Sequence, residues 1–202
     1  MRFDPTLCLV LGPDDCPGRD VVDVARAAVA GGVTGVQLRW KDAPDAELLA
    51  LARRLIAALA MPVLVNDRAD IAAEAGAAGV HVGQTDMKPA AARALLGPDA
   101  IVGLSIETAA QLPTIDAAVD YVGLGPLFAT GTKPDHAPPL GVAGFAAIRP
   151  RIAVPVMAIG GVKASHASDL RRAGANGLAV VSAITASPDA REAAASLRLA
   201  FA

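Results

Sequence analysis

Apolar positions along the chain come in short runs separated by Ala-rich stretches. LCLVL at 7–11, VLV at 63–65 and VMAI at 156–159 are nearly continuous, as strands covered on both faces should be. Together with 35–39, 79–82, 101–103, 121–123 and 178–181 they make eight predicted strands. Helix-favouring segments lie between them at 21–30, 45–60, 69–75, 89–95, 107–115, 142–148, 165–173 and 188–201. Regular alternation of this kind predicts an α/β fold with an all-parallel sheet, in one domain spanning 1–202. A local pattern recurs in GGVTGVQ (31–37), GAAGVHV (76–82) and GANGLAV (174–180): a glycine closing a helix, a tight turn, then a strand. Repeated units of one kind favour a closed (β/α)8 TIM barrel over an open doubly wound sheet. The length of 202 residues makes it a compact barrel with short helices and spare loops. No Gly-x-Gly-x-x-Gly follows the first strand, which weakens the Rossmann-like alternative.

The second strand breaks the apolar rule. In VQLRWK, Val36, Leu38 and Trp40 alternate with Gln37, Arg39 and Lys41. Successive side chains of a strand point to opposite faces, so one face carries an amide and two cations. In parallel α/β folds ligands bind at the carboxyl ends of the strands. Polar or glycine-rich tips recur at that end: Arg39 and Lys41, Asn66 and Asp67, Gly83 to Asp86, Ser105, the stretch ATGTK (129–133), Gly160 and Gly161, and Ser182. Each tip alone is a weak signal; their coincidence predicts one site.

Composition narrows the chemistry. The chain is 53% hydrophobic and 19% charged, unlike a disordered segment. A net charge of −2 gives no bulk electrostatic case for nucleic acid, so anion binding has to come from local constellations. No stretch reads as a signal peptide or membrane span. Cys8 and Cys16 match no metal-ligand spacing and read as reduced structural thiols of a cytoplasmic protein.

Arg39, Lys41 and Lys133 can surround a polyanion, Arg as a planar fork and Lys as a mobile point charge. Asp67 and Asp86 stand on adjacent strand tips. Singly, either reads equally well as a turn residue or helix cap. Beside three cations, two carboxylates fit a Mg2+ ion between them and phosphate oxygens. Gly160-Gly161 after strand 7 and Val181-Ser182 at strand 8 mark a second anion site of the kind common in barrels, with Thr130 and Thr132 adding hydroxyls. Taken alone, a Gly-Gly pair is more often only a turn. His81 shares its strand face with the barrel interior and reads as a structural histidine, with acid–base work the lesser alternative. No nucleophile elbow and no metal-binding histidine spacing occur. Such a site suits a reaction driven by departure of diphosphate.

The stretches VQLRWK, LVNDRADIA, GVHVGQTD, GLS, DYVGLGPLFATGTK, VPVMAIGGV and GANGLAVVSAI closely resemble, in order, those of the thiamine-phosphate synthase family. The resemblance implies a (β/α)8 barrel transferase. It would condense 4-amino-2-methyl-5-pyrimidinylmethyl diphosphate with 5-(2-hydroxyethyl)-4-methylthiazole phosphate, releasing diphosphate. It also implies roles. The contiguous segment Gln37, Leu38, Arg39, Trp40 and Lys41, with Asn66, Ser105 and Lys133, would bind the pyrimidine diphosphate. Strand parity turns the side chains of Leu38 and Trp40 toward the helices. Arg39, Lys41, Ser105 and Lys133 would carry catalysis, and Asp67 and Asp86 would hold Mg2+. Thr130, Gly131, Thr132, Gly161, Val181 and Ser182 would bind the thiazole phosphate. The implied partners are two small phosphorylated molecules, with neither nucleic acid nor membrane, and a homo-oligomer is left open. The first strand ends in Gly12-Pro13 where the family often has Thr-Asp, so its tip stays unassigned. A thiazole tautomerase on the same fold would need no metal–diphosphate receptor, and a non-catalytic phosphate-binding barrel would bind without turnover.

Overall fold

The computed structural model describes residues 3–129 and 138–202. Eight strands, β1 (Leu7–Leu11), β2 (Gly35–Leu38), β3 (Val63–Asn66), β4 (Gly79–Val82), β5 (Ile101–Ile106), β6 (Tyr121–Leu124), β7 (Val156–Ile159) and β8 (Gly177–Val180), close into a barrel in sequence order. Each neighbouring pair is parallel, including β8 with β1. The helices are α1 (Val21–Ala30), α2 (Asp45–Ala58), α3 (Ala69–Ala75), α4 (Pro89–Leu96), α5 (Gly141–Ile148), α6 (Ala164–Arg172), α7 (Ser182–Thr185) and α8 (Ala190–Phe201). The (β/α)8 expectation therefore holds, with two local differences. A helix was expected over 107–115, but the chain forms only a 3-10 helix, Ala109–Thr114, around Pro113. Proline has no N–H to donate and its ring blocks the carbonyl one turn back, so an α-helix cannot run through it. The four-residue α7 is the second, since the sequence reads there only as the end of a strand.

Each helix turns an apolar stripe inward. In α2 the stripe is Leu48, Leu51, Ala52 and Leu55, at the i, i+3, i+4, i+7 spacing of one helix face. Burying each leucine contributes about 1.5–3 kcal/mol. Asp20 caps α1 by accepting from Val22 N and Asp23 N, and Asp189 caps α8 through Arg191 N and Glu192 N. The recurrent glycine of the sequence pattern takes a left-handed conformation in all three copies, at Gly32, Gly76 and Gly174.

Two separate cores result. The large one lies between strands and helices and includes Val36, Leu38, Val80, Val82 and Leu104. The small one fills the barrel with Phe3, Cys8, Val10, Leu64, Ile101, Tyr121, Met157 and Ala179. Cys8 and Cys16 are buried and unpaired, and burial pushes the Cys8 thiol up to about 12. Few large side chains enter the barrel because several inward positions are glycine. A Cβ on Gly103 would lie 2.3 Å from Tyr121 Cζ and 2.5 Å from His81 Nδ1. Gly103→Ala therefore overpacks the interior, and we expect it to cost about 1–3 kcal/mol. Chemical denaturation should show this as a lower midpoint at unchanged slope; an unchanged midpoint would contradict the packing.

Candidate active site at the carboxyl end of the barrel

A cavity of about 500 Å³ opens at the carboxyl ends of the strands. Gln37, Arg39, Lys41, Asn66, Asp67, Asp86, Ser105, Gly161, Val181 and Ser182, all expected from the sequence, line it. Leu38 and Trp40 do not. Leu38 is fully buried in the outer core and Trp40 packs against the same core, as strand parity requires. Thr130, Gly131, Thr132 and Lys133 lie outside the described residues. Glu107, Gln111, Thr85 and His81 also line the cavity. Parity could have found Glu107, which continues the inward face of Ser105; Gln111 depends on the 3-10 turn, which the helical reading of 107–115 hid.

Arg39 and Lys41 extend the inward face of β2 past its last residue. Among the described residues neither forms an ion pair, whereas Arg54, Arg68 and Arg93 all do. Gln37 is 3% exposed and donates from Nε2 to Asn66 Oδ1 at 2.7 Å, so the two amides brace one another across β2 and β3. Asp67 follows β3 with φ of 63°, a left-handed conformation. For a non-glycine residue this costs about 1–3 kcal/mol and is commonest at functional sites. Asp67 N donates to the His81 carbonyl at 2.8 Å, which fixes the bend. Asp86 Oδ2 accepts from Gly83 N at 2.7 Å and so holds the turn after β4.

The two carboxyl groups interact. Burial, then hydrogen bonding to Asp86 and its negative charge, push the Asp67 carboxyl up to about 6, against the pull of Lys41 and Arg39. A carboxylate that resists ionisation although two cations face it lacks a closer positive charge. Among the described residues no three His, Cys, Asp or Glu side chains form an all-protein metal cage. Mg2+ asks for less, since one or two carboxylates, waters and substrate phosphate oxygens complete its shell. The donor set fits it.

Across the mouth, Gly160 and Gly161 both have left-handed φ, 90° and 65°. A Cβ on Gly160 would lie 2.6 Å from Pro126 Cα, and one on Gly161 2.7 Å from the Ala129 carbonyl oxygen. Conformation and space both require glycine here. The β6 exit leans on this turn: Leu127 N donates to Ile159 O and Phe128 N to Gly160 O, each at 3.0 Å. Phe128 also stacks on His166 at a centroid distance of 3.8 Å. The backbone N–H groups of Gly161, Val162 and Ser182, all on cavity-lining residues, meet no acceptor among the described residues. Converging free N–H groups are the usual means of holding a phosphate in loops after strands 7 and 8.

A (β/α)8 barrel with cations facing a carboxylate pair on one side and free backbone donors on the other defines an enzyme class that handles phosphorylated substrates. The family model described as thiamine monophosphate synthase matches residues 7–184, and the chain belongs to that family. Thiamine-phosphate synthase of Azorhizobium caulinodans is 50% identical over 200 residues, covering 97% of this chain and 94% of the relative. That of Xanthobacter autotrophicus is 46% identical, covering 98% and 96%. The solved thiamine phosphate pyrophosphorylase of Pyrococcus furiosus superposes with a TM-score of 0.85 at 29% identity, covering 99% and 96%. A 3-hexulose-6-phosphate synthase, 21% identical with a TM-score of 0.74, shares the fold. Membership makes the chain a transferase that forms thiamine phosphate. Among the described residues no helix is long and apolar enough to cross a membrane.

The Asp67 shift has a consequence for the metal-free protein. Because the folded carboxyl titrates above its unfolded value of 3.8, folding takes up a proton between the two values. The associated stability is fully present below pH 3.8 and disappears as pH rises through about 6. Melting temperatures in chelator should therefore fall over this window more for the wild type than for Asp67→Asn. Parallel curves for the two proteins would contradict the raised carboxyl.

Proposed function

We propose that the chain joins 4-amino-2-methyl-5-pyrimidinylmethyl diphosphate to 5-(2-hydroxyethyl)-4-methylthiazole phosphate, with Mg2+ as cofactor, releasing diphosphate. The observation that carries this reading is the pairing of Arg39 and Lys41, which have no ion-pair partner among the described residues, with the Asp67–Asp86 carboxyl pair in one cavity. Arg39 is half-buried and Lys41 exposed at the mouth, so a diphosphate could reach both cations and pair with them without first displacing a carboxylate.

In this reading Gln37 and Asn66, braced by their mutual hydrogen bond, orient the pyrimidine ring. Arg39, Lys41 and Ser105 hold the diphosphate, joined by Lys133 from outside the described residues. Asp67 and Asp86 hold the metal, which when bound would neutralise charge on the departing diphosphate. The C–O bond to diphosphate breaks first, and the thiazole nitrogen captures the resulting pyrimidinylmethyl cation. That nitrogen carries no proton, so capture needs no general base, in keeping with a site poor in acid–base pairs. Water would destroy the cation. Val10, Ile159 and Ala179 give the cavity an apolar floor that limits it. The thiazole phosphate would sit on the N–H groups of Gly161, Val162 and Ser182, with Val181 shaping the turn and Thr130, Gly131 and Thr132 closing the contact. The partners are these two small molecules. A cytoplasmic location is part of the reading, supported by the unpaired cysteines.

The test supplies both substrates with Mg2+ and measures thiamine phosphate and diphosphate together. We expect equimolar products, abolition by chelator and restoration by Mg2+. Arg39→Ala should lower turnover about 10²–10³-fold, the usual effect of removing one donor to a developing anion. Asp67→Ala and Asp86→Ala should lower turnover far more than they change the melting temperature. Binding of either substrate without product would overturn the synthase reading. Near-normal turnover of both Asp variants at saturating Mg2+ would overturn the metal assignment.

A further inference from the structure

The site as described gives no task to His81, although its ring is among the most buried polar groups of the barrel, 4% exposed. The ring occupies space left by Gly103 and Gly123; a Cβ on Gly123 would lie 3.3 Å from its Cε1. Its Nδ1 is 2.9 Å from the Tyr121 hydroxyl oxygen, and its Nε2 is 2.9 Å from Ser105 Oγ. Tyr121 is 1% exposed and lies deeper, its ring packed 5.0 Å from that of Phe3. A chain of polar groups thus runs from the barrel interior up to the mouth, where Ser105 meets the cavity.

Burial sets the direction of these bonds. The Tyr121 phenol is pushed up by desolvation and keeps its proton. Its one partner among the described residues is His81 Nδ1. A buried donor left unspent costs about 1–3 kcal/mol, so the phenol donates and Nδ1 accepts. A neutral imidazole that accepts at Nδ1 carries its proton on Nε2. That proton goes to Ser105 Oγ. A doubly protonated ring would offer protons to both neighbours and strand the phenol proton. Having accepted from His81, the Ser105 hydroxyl keeps its own proton to donate elsewhere. Its carbonyl is already engaged, accepting from Gln84 Nε2 at 2.7 Å.

We infer that Tyr121 and His81 are positioning residues: a buried one-way hydrogen-bond chain, from the Tyr121 hydroxyl through His81 to Ser105 Oγ, aims the Ser105 hydroxyl proton into the cavity at the diphosphate-bearing substrate. No proton is transferred along the chain; it selects one orientation of one hydroxyl. The substrate part of this inference rests on the synthase reading above, whereas the direction of the chain does not.

Two measurements separate the parts. Nitrogen-15 NMR of histidine-labelled wild-type protein without substrate reads the tautomer directly. We expect His81 protonated at Nε2 and bare at Nδ1; a proton on Nδ1, or on both nitrogens, would overturn the inference. Steady-state kinetics test the consequence. Tyr121→Phe should lower kcat about tenfold, within the range for groups that orient a site residue, with KM for the pyrimidine substrate within about twofold. In a Ser105→Ala background the same substitution should change kcat by less than about twofold, because nothing remains to orient. Equal falls in both backgrounds would mean a purely structural role and would overturn the inference. If wild-type protein forms no product, the synthase reading fails while the tautomer result stands. If Tyr121→Phe does not fold, the tautomer in wild-type protein decides.

Discussion

Closure of eight parallel strands into a ring is the constraint on which everything else here depends. With β8 hydrogen-bonded to β1, no edge remains and every residue of every strand points either into the barrel or out toward the helices. Outward positions are apolar throughout and form the larger core. Inward positions cannot all be large, because a ring this narrow has little room. Glycines at 103 and 123 admit the rings of Tyr121 and His81 instead. The lower barrel is thereby filled with apolar side chains. The upper barrel stays open as the cavity that Gln37, Asn66 and Ser105 reach by the same parity.

The same closure brings together charges that stand far apart in sequence. Arg39 and Lys41 leave β2, Asp67 leaves β3 and Asp86 follows β4, so three neighbouring strands deliver two cations and two carboxylates to one sector of the mouth. Burial, then hydrogen bonding to Asp86 and its negative charge, outweigh the pull of the cations on Asp67. Elsewhere on the surface arginines neutralise carboxylates pairwise, as Arg68 does with Asp45 and Asp70. At the mouth, among the described residues, Arg39 and Lys41 form no such pair. Among the described residues, no charged side chain lines the opposite sector of the cavity. There the backbone N–H groups of Gly161, Val162 and Ser182 meet no acceptor among the described residues.

Parity made much of this legible beforehand. The alternation in VQLRWK separates Arg39 and Lys41 from Leu38 and Trp40, and the latter pair indeed packs outside the cavity. The motif-based reading of 37–41 as one contiguous binding segment blurred that separation. The helical reading of 107–115 failed because the apolar pattern carries no record of where Pro113 stops the ladder, and Gln111 was lost with it. His81 could be placed inside the barrel, but its partners could not be known, since Tyr121 and Ser105 arrive from two other strands.

By itself the sequence determined the strand–helix alternation, the inward or outward parity of each strand residue and the family, because all three are local or ordered along the chain. Tertiary structure alone decided which inward residues touch. It brought Asp67 against Asp86, left Arg39 and Lys41 without a described carboxylate partner, and threaded Tyr121 through His81 to Ser105. Those contacts depend on how each strand is staggered against its neighbours and on the space glycine leaves between them. Register and free volume are properties of the closed ring, and no single strand contains them.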